Sequence, residues 1–270
     1  MSLLSVDQAQ CVRCGTCAAV CPIGGGLIAM GEKGPEAQED DSCIGCGHCV
    51  AVCPTAALDN RRAPLGKQAA APQERRWDAG QAAQFLRSRR SIRNYRPEAV
   101  PRETLLQLLD MARFAPTASN RQGISFRVIS DREKLKRIAA ATVGWLEQTV
   151  ASGGMKSAAG HIRAFQKGED TILRSAPHLI LALCPRGTAE VGRSSADFML
   201  AYAELYALAL GLGTCWAGLL QYCAFSGYSP LLELLELPAD REVAGALMAG
   251  YPRFHYQRLV DREPLAVSWS

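Results

Sequence analysis

Apolar residues recur at helical or strand spacing through the last two thirds of the chain and show neither spacing in the stretch 61–77. Behind Pro101, the residues Leu105, Leu106, Leu108, Leu109 and Ala112 fall on one helical face, and Ala82, Phe85 and Leu86 lead into Arg89-Arg90-Ser91. The pattern predicts two helices flanking that basic turn. It also predicts a strand over 125–130, a helix over 131–148, a strand over 177–184, a long helix over 196–212 and a last strand over 244–251. Strands alternating with helices imply a layered α/β or α+β architecture. Between Asn60 and Trp77 the composition turns to Arg, Ala, Pro and Gln, as in a linker running over a surface. The expected division is a first domain at 1–60, a linker at 61–77 and a second domain at 78–270.

The apolar runs set limits on location. The longest, such as Leu205 to Leu212, fall short of the roughly 20 residues of a membrane span. The opening MSLLSVDQAQ is too short and too polar for a signal peptide. A globular protein of the cytoplasm, with no membrane partner, is expected from 270 residues that are 48% hydrophobic.

Cysteine placement changes the picture most. Eight of eleven cysteines lie in the first 53 residues, which reads as metal ligation rather than disulfide bridging. They form two runs of the same spacing, Cys11-x2-Cys14-x2-Cys17-x3-Cys21-Pro22 and Cys43-x2-Cys46-x2-Cys49-x3-Cys53-Pro54. Three close thiolates can hold three irons of one cube, and in this spacing the fourth thiolate serves the other cube. Cys11, Cys14, Cys17 and Cys53 are therefore assigned to one [4Fe-4S] cluster, and Cys43, Cys46, Cys49 and Cys21 to a second. Zinc is the alternative for four thiolates, but its sites usually pair two separated C-x2-C units.

Gly15, Gly45 and Gly47 would let backbone amides approach the cluster sulfurs, or are ordinary turn glycines. His48 is not needed as a ligand. The stretch from Leu4 to Asp59 resembles the bacterial two-cluster ferredoxins, with 24–41 as a polar inserted loop. The formal charge of +4 is offset by about −2 at each four-thiolate cluster. No nucleic-acid partner is expected.

Three further elements carry chemistry. Arg89-Arg90-Ser91-Ile92-Arg93 could seat a phosphate through forked guanidinium bonds, or be a solvated face. Ala115 to Gln122 sets short polar side chains between a helix and a strand, suited to reading a ring edge or simply stopping the helix. The glycines of Gly211-Leu212-Gly213-Thr214-Cys215-Trp216-Ala217-Gly218 allow close approach to a planar ligand, without the full dinucleotide pattern.

In this order, RRSIRNY, APTASNRQ, GLGTCWAG and the closing GYP followed by Arg258 resemble the FMN-dependent nitroreductase family over about 82–270. The resemblance implies an α+β fold, a nitroreductase-like α/β/α sandwich behind a small ferredoxin-like domain. It implies that Arg89, Arg90 and Ser91 bind the FMN phosphate and ribityl chain, with Arg258 reaching the phosphate from the other end. Asn120 and Gln122 would hydrogen-bond the isoalloxazine. Trp216, Ala217 and Gly218 would line its face, and an amide near Gly218 or Leu219 would reach N5.

The chain departs from the family in two places. Gln122 is followed by Gly123-Ile124 where many members have Pro-Trp, and Tyr256 stands where a lysine often precedes the arginine. The resemblance also implies a homodimer with the tail 251–270 wrapped on its partner. The region 152–174 would cover substrate, with His161, Arg163 and Phe165 as possible contacts. Cys184, Cys215 and Cys223 read as buried inert thiols.

Clusters pass single electrons and a flavin converts them to pairs. The expectation is an oxidoreductase taking electrons from a ferredoxin-type donor through the clusters and FMN to a nitroaromatic, quinone or enone. No side chain stands out as a catalytic acid or base. The alternatives are an NAD(P)H-oxidising enzyme feeding electrons outward, and an electron carrier or redox sensor with no substrate of its own.

Overall fold

A computed structural model describes residues 2–23, 26–38, 40–72, 74 and 77–270. The chain divides into two compact units, 1–76 together with 119–121, and 77–118 together with 122–270.

The N-terminal unit is built twice from the same pieces. Strand β1 (Leu4–Val6), helix α1 (Thr16–Ala19) and strand β2 (Ile28–Gly31) precede β3 (Gly34–Ala37), helix α2 (His48–Ala51) and β4 (Leu58–Asn60). Strands β1 and β4 pair antiparallel, as do β2 and β3. The second pair lies inside the stretch expected to be an inserted loop. A two-residue turn at Glu32-Lys33, followed by Gly34 at φ 107, closes it into a hairpin. Gly24, Gly25 and Glu39 of that stretch lie outside the described residues.

The core of this unit is small: Leu3, Leu4, Leu27, Ile28, Val50 and Leu58 pack with Cys17 and Cys49. The first part of the expected linker is folded against it. Asp59 Oδ1 accepts from the Leu65 amide at 2.7 Å, a short 3-10 turn spans Leu65–Lys67, and the Gln68 side chain donates to the Ala63 carbonyl. Gln73, Arg75 and Arg76 of the linker lie outside the described residues.

The C-terminal unit opens with α3 (Ala79–Ser88), started by a capping box between Asp78 and Gln81. Then follow α4 (Arg102–Ala112), β5 (Ser125–Ile129), α5 (Arg132–Ala151), α6 (Ala159–Gln166), β6 (His178–Pro185), α7 (Ala189–Ala209), β7 (Gly213–Trp216), α8 (Gly218–Phe225), α9 (Ser229–Leu235) and β8 (Arg241–Gly250). The sheet order is β5-β6-β8-β7, every pair antiparallel.

Strand β6 is apolar from Leu179 to Cys184 because both faces are covered. Leu179, Leu181 and Leu183 point to the layer containing Leu135, Ile138 and Leu146 of α5, Leu220 of α8 and Leu231 of α9. Ile180, Ala182 and Cys184 point to Leu105 and Leu108 of α4 and Ala196, Leu200 and Ala203 of α7. In β8 an irregularity opposite Ala182/Leu183 changes the alternation, so that Ala246 and Met248 share a face with Val243. The result is a helix/sheet/helix sandwich. Each fully buried leucine contributes about 1.5–3 kcal/mol by leaving water.

One buried polar residue is accommodated completely. His178 Nε2 accepts from the Val100 amide at 2.8 Å, so the proton sits on Nδ1, which donates to Ser130 Oγ at 2.7 Å. Burial lowers the His178 pKa and keeps this tautomer neutral.

Candidate functional site

In the N-terminal unit, Gly15 and Gly47 occupy equivalent places between the second and third cysteines of each run. Both adopt the left-handed conformation at φ 75 and open α1 and α2. The chain turns there so sharply that three thiols of a run face one side. Cys11, Cys14, Cys17 and Cys53 line one cavity, closed by Val6 and Leu58. Cys21, Cys43, Cys46 and Cys49 line a second, closed by Leu3 and Ile28. Each cavity thus takes three thiols from one run and the fourth from the other. Among the described residues, no three His, Cys, Asp or Glu side chains converge closely enough to share a single ion. A group of several metal atoms fits thiols arranged around a space rather than around a point.

Donors surround the sulfurs. The Thr16 hydroxyl donates to Cys14 Sγ at 3.2 Å and is the main cause of that thiol's lowered pKa. Burial raises the pKa of Cys17 and of Cys49. At Cys53 burial also opposes ionisation, but the amides of Thr55, Ala57 and Leu58 outweigh it and the pKa is lowered. Gly45 N lies 3.4 Å from Cys43 Sγ.

Asn60, the expected last residue of the first domain and assigned no role there, is 2% exposed, and its side-chain amide donates to Cys43 Sγ at 3.8 Å and Cys49 Sγ at 3.6 Å. Its Oδ1 is held by the Arg62 amide at 2.9 Å. Pairing of β4 with β1 brings it there, 11 residues beyond Cys49. His48 is exposed at the start of α2.

In the C-terminal unit, three of the four flavin elements come together. The segment after α3 runs beside β7, with the Ile92 amide donating to the Thr214 carbonyl at 2.8 Å. A Cβ on Gly213 would lie 2.6 Å from the Ile92 side chain, so only glycine lets the basic turn approach this closely. The tail returns alongside: the Arg96 amide donates to the Tyr251 carbonyl and the Arg253 amide to the Asn94 carbonyl, both at 2.9 Å.

Arg90, Thr214 and Tyr256 line a cavity of about 180 Å³ between these segments. Arg90 stacks on the Tyr256 ring at 4.7 Å and donates to the Arg258 carbonyl at 2.7 Å. Ser91 pairs with Thr214 across the bridge. Ala217 is anchored by its amide on the Ala246 carbonyl, and Gly218 and Leu219 open α8. Their amides belong to a first helical turn, which has no carbonyl of its own helix to bond. Trp216 is half-buried next to them.

Arg89 does something the sequence reading did not anticipate. Its guanidinium lies 3.6 Å from Glu204, a carboxylate on α7 that is 5% exposed. Glu204 also accepts from Trp216 Nε1 at 2.7 Å and from the Thr214 hydroxyl at 3.3 Å. The charge of Arg89 is thus balanced within the protein, and Arg90 is the guanidinium turned to the cavity. Glu204 carries no signal in its neighbourhood; only the packing of α7 against β7 selects it.

The fourth element is placed differently. Residues 119–121 belong to the N-terminal unit, and Asn120, expected at a flavin edge, donates its side-chain amide to the Ile44 carbonyl at 3.0 Å. Ser119 and Asn120 both have left-handed backbones, at φ 49 and 52. Gln122, also left-handed at φ 50, has its amide on the Thr117 hydroxyl at 3.1 Å.

In the region 152–174, helix α6 carries His161, Arg163 and Phe165. The His161 ring bonds the Thr171 hydroxyl, and Phe165 packs against the core. Cys184, Cys215 and Cys223 are buried, and burial pushes the Cys223 pKa up to about 12. Residues 251–270 form no helix or strand and are exposed nearly throughout, Trp269 at 93%. Among the described residues, no helix is long and apolar enough to cross a membrane.

The sheet order, the two helical layers and the meeting of the basic turn with β7 define a class of α+β proteins that known structures share. The chain resembles a nitroreductase with bound FMN from Desulfitobacterium hafniense DCB-2, at TM-score 0.56 and 18% identity, over 69% of this chain and 97% of that one. A nitroreductase with bound FMN from Bacteroides fragilis NCTC 9343 has TM-score 0.54 and 20% identity, over 70% and 99%.

In sequence, residues 86–251 match the nitroreductase family and residues 3–54 match the 4Fe-4S dicluster domain. The chain belongs to the nitroreductase family and carries a 4Fe-4S dicluster domain ahead of it. The FMN reductase [NAD(P)H] of Bacillus subtilis (strain 168) is 30% identical over 171 residues, 62% of this chain. The chain spans 64% of that relative's length.

Proposed function

We propose that the protein is an iron–sulfur flavoprotein oxidoreductase that passes electrons between two [4Fe-4S] clusters and FMN and reduces an electron-poor organic acceptor, such as a nitroaromatic, quinone or enone. The observation that carries this reading is the pair of cavities, each ringed by four thiols, in a chain whose other unit has the nitroreductase fold. Cys11, Cys14, Cys17 and Cys53 would hold one cluster, and Cys21, Cys43, Cys46 and Cys49 the other.

In the second unit, Arg90 would take the phosphate, with Ser91 beside it and Arg258 nearby, while Arg89 stays with Glu204 and fixes the Trp216 ring. The free amides at Gly218 and Leu219 would face the reactive edge of the ring. FMN, when bound, supplies conversion between single electrons and pairs. The residues of the chain position and orient; protons come from solvent or from groups near the acceptor.

Val191, Phe198 and Tyr202 are exposed on α7, and Leu265 and Trp269 on the tail. These apolar surfaces support a homodimer. A second reading, oxidation of NAD(P)H with electrons leaving through the clusters, is favoured by the name of the Bacillus subtilis relative.

Protein purified without oxygen should contain about eight irons and one FMN per chain. Mixed anaerobically with a reduced ferredoxin, it should lose its flavin absorbance and then turn over a nitroaromatic. Prompt bleaching by NADH or NADPH alone would transfer the case to the second reading. Full clusters with no flavin would leave an electron carrier.

A further inference from the structure

In the C-terminal unit, a cavity of about 270 Å³ shares no lining residue with the Arg90 cavity. It lies where the first turns of α7, the end of α8, α9 and the start of β8 meet. Its walls are of two kinds. Phe225, Leu232 and Leu237 make one side apolar, while Arg186, Arg193 and Arg241 bring three guanidiniums to the other with a single carboxylate, Glu242. That carboxylate is committed to the Gly187 amide at 2.9 Å.

Two of the three arginines are held without an anion, and the third meets only an exposed carboxylate. Arg186 Nε donates to the Ala239 carbonyl at 2.9 Å. Arg241 donates to the Gly123 carbonyl at 2.9 Å and lies 3.4 Å from the exposed Asp240. Arg193 Cζ lies over the Phe225 ring, 3.7 Å from its centre, and its Nε is shut off from water with no hydrogen-bond partner. Among the described residues, neither Arg186 nor Arg193 pairs with a carboxylate.

A buried guanidinium N–H without an acceptor is costly, and like charges around one space repel. Stacking leaves the in-plane N–H groups directed sideways, the geometry in which a guanidinium grips a carboxylate through two bonds.

We propose that this cavity is a second ligand site, separate from the cofactors, for a small organic anion: a carboxylate or dicarboxylate carried on a flat apolar body. The guanidiniums of Arg186 and Arg193 take the carboxylates, and the apolar body lies against Phe225 and Leu232. An inorganic anion satisfies the cationic side only and leaves the apolar wall uncovered.

Calorimetric titration of phthalate into the holoprotein at low ionic strength tests this. One molecule per chain is expected to bind, with affinity falling about tenfold or more in Arg193→Gln and in Arg186→Gln. Succinate and inorganic phosphate should bind more weakly than phthalate. Arg186 is exposed, so its replacement keeps the test decisive even if Arg193→Gln does not fold. Absence of binding, equal affinity in the wild type and the Arg186 variant, or phosphate binding as tightly as phthalate would overturn the proposal.

Discussion

The two units of this protein are held together by different means. The C-terminal unit covers both faces of its sheet with helices and buries two large apolar clusters, so it meets the entropy cost of folding through burial alone. Among the described residues, the core cluster of the N-terminal unit holds six aliphatic side chains and two cysteines, and its two helices are four residues long. A core of that size is marginal for any domain. The thiols therefore serve the fold as well as the chemistry, and the unit depends on what they bind.

Removing the metal is the most severe way to break this contrast. Anaerobic chelation should unfold the N-terminal unit, because each cavity draws thiols from both runs and neither half stands alone. Limited proteolysis should then cut within 2–72 and leave the C-terminal unit intact. Equal resistance before and after iron loss would show that the small core suffices.

A smaller effect is expected in the opposite sense. Leu181→Ala, in a fully buried position on β6, should cost about 2–5 kcal/mol in denaturant unfolding of the C-terminal unit. Iron content should be unchanged. Loss of iron in this variant would mean that the two units do not fold as separately as their cores imply.

The mildest change should touch neither core. Asn60→Leu keeps the branched heavy-atom shape but removes the donor to Cys43 Sγ and Cys49 Sγ. Hydrogen bonds to the sulfurs favour the more negative, reduced cluster. The variant should retain its iron, and one of the two potentials should become more negative in an EPR-monitored titration. Unchanged potentials would reduce Asn60 to a support for the Arg62 turn.

Periodicity made the central strands and helices legible. The strands read at 125–130 and 177–184 lie at Ser125–Ile129 and His178–Pro185; the second shows as an unbroken apolar run from Leu179 to Cys184 because both of its faces are covered. Helix α7 begins at Ala189, seven residues before its expected start at Ala196. Its first turns hold the exposed Glu190 and Ser194 and the half-buried Arg193, polar positions that hide the helical pattern. Strand β7 went unread because it is four residues long and lies inside a glycine-rich motif. The hairpin at 28–37 was taken for a loop because backbone pairing, not an apolar stripe, defines it.

Spacing along the chain accounts for what is local or repeated: the grouping of four thiols around each cavity, which follows from three-residue spacings and one crossover, and the basic turn and glycine motif that meet in the second unit. The remaining partners come from packing. Asn60 reaches two sulfurs through strand pairing, Glu204 takes Arg89 and Trp216 through the packing of a helix on a strand, and three arginines share one cavity from three separate elements. Such partners are chosen by register and crossing angle, which depend on every contact in a core at once and leave no spacing in the chain to read.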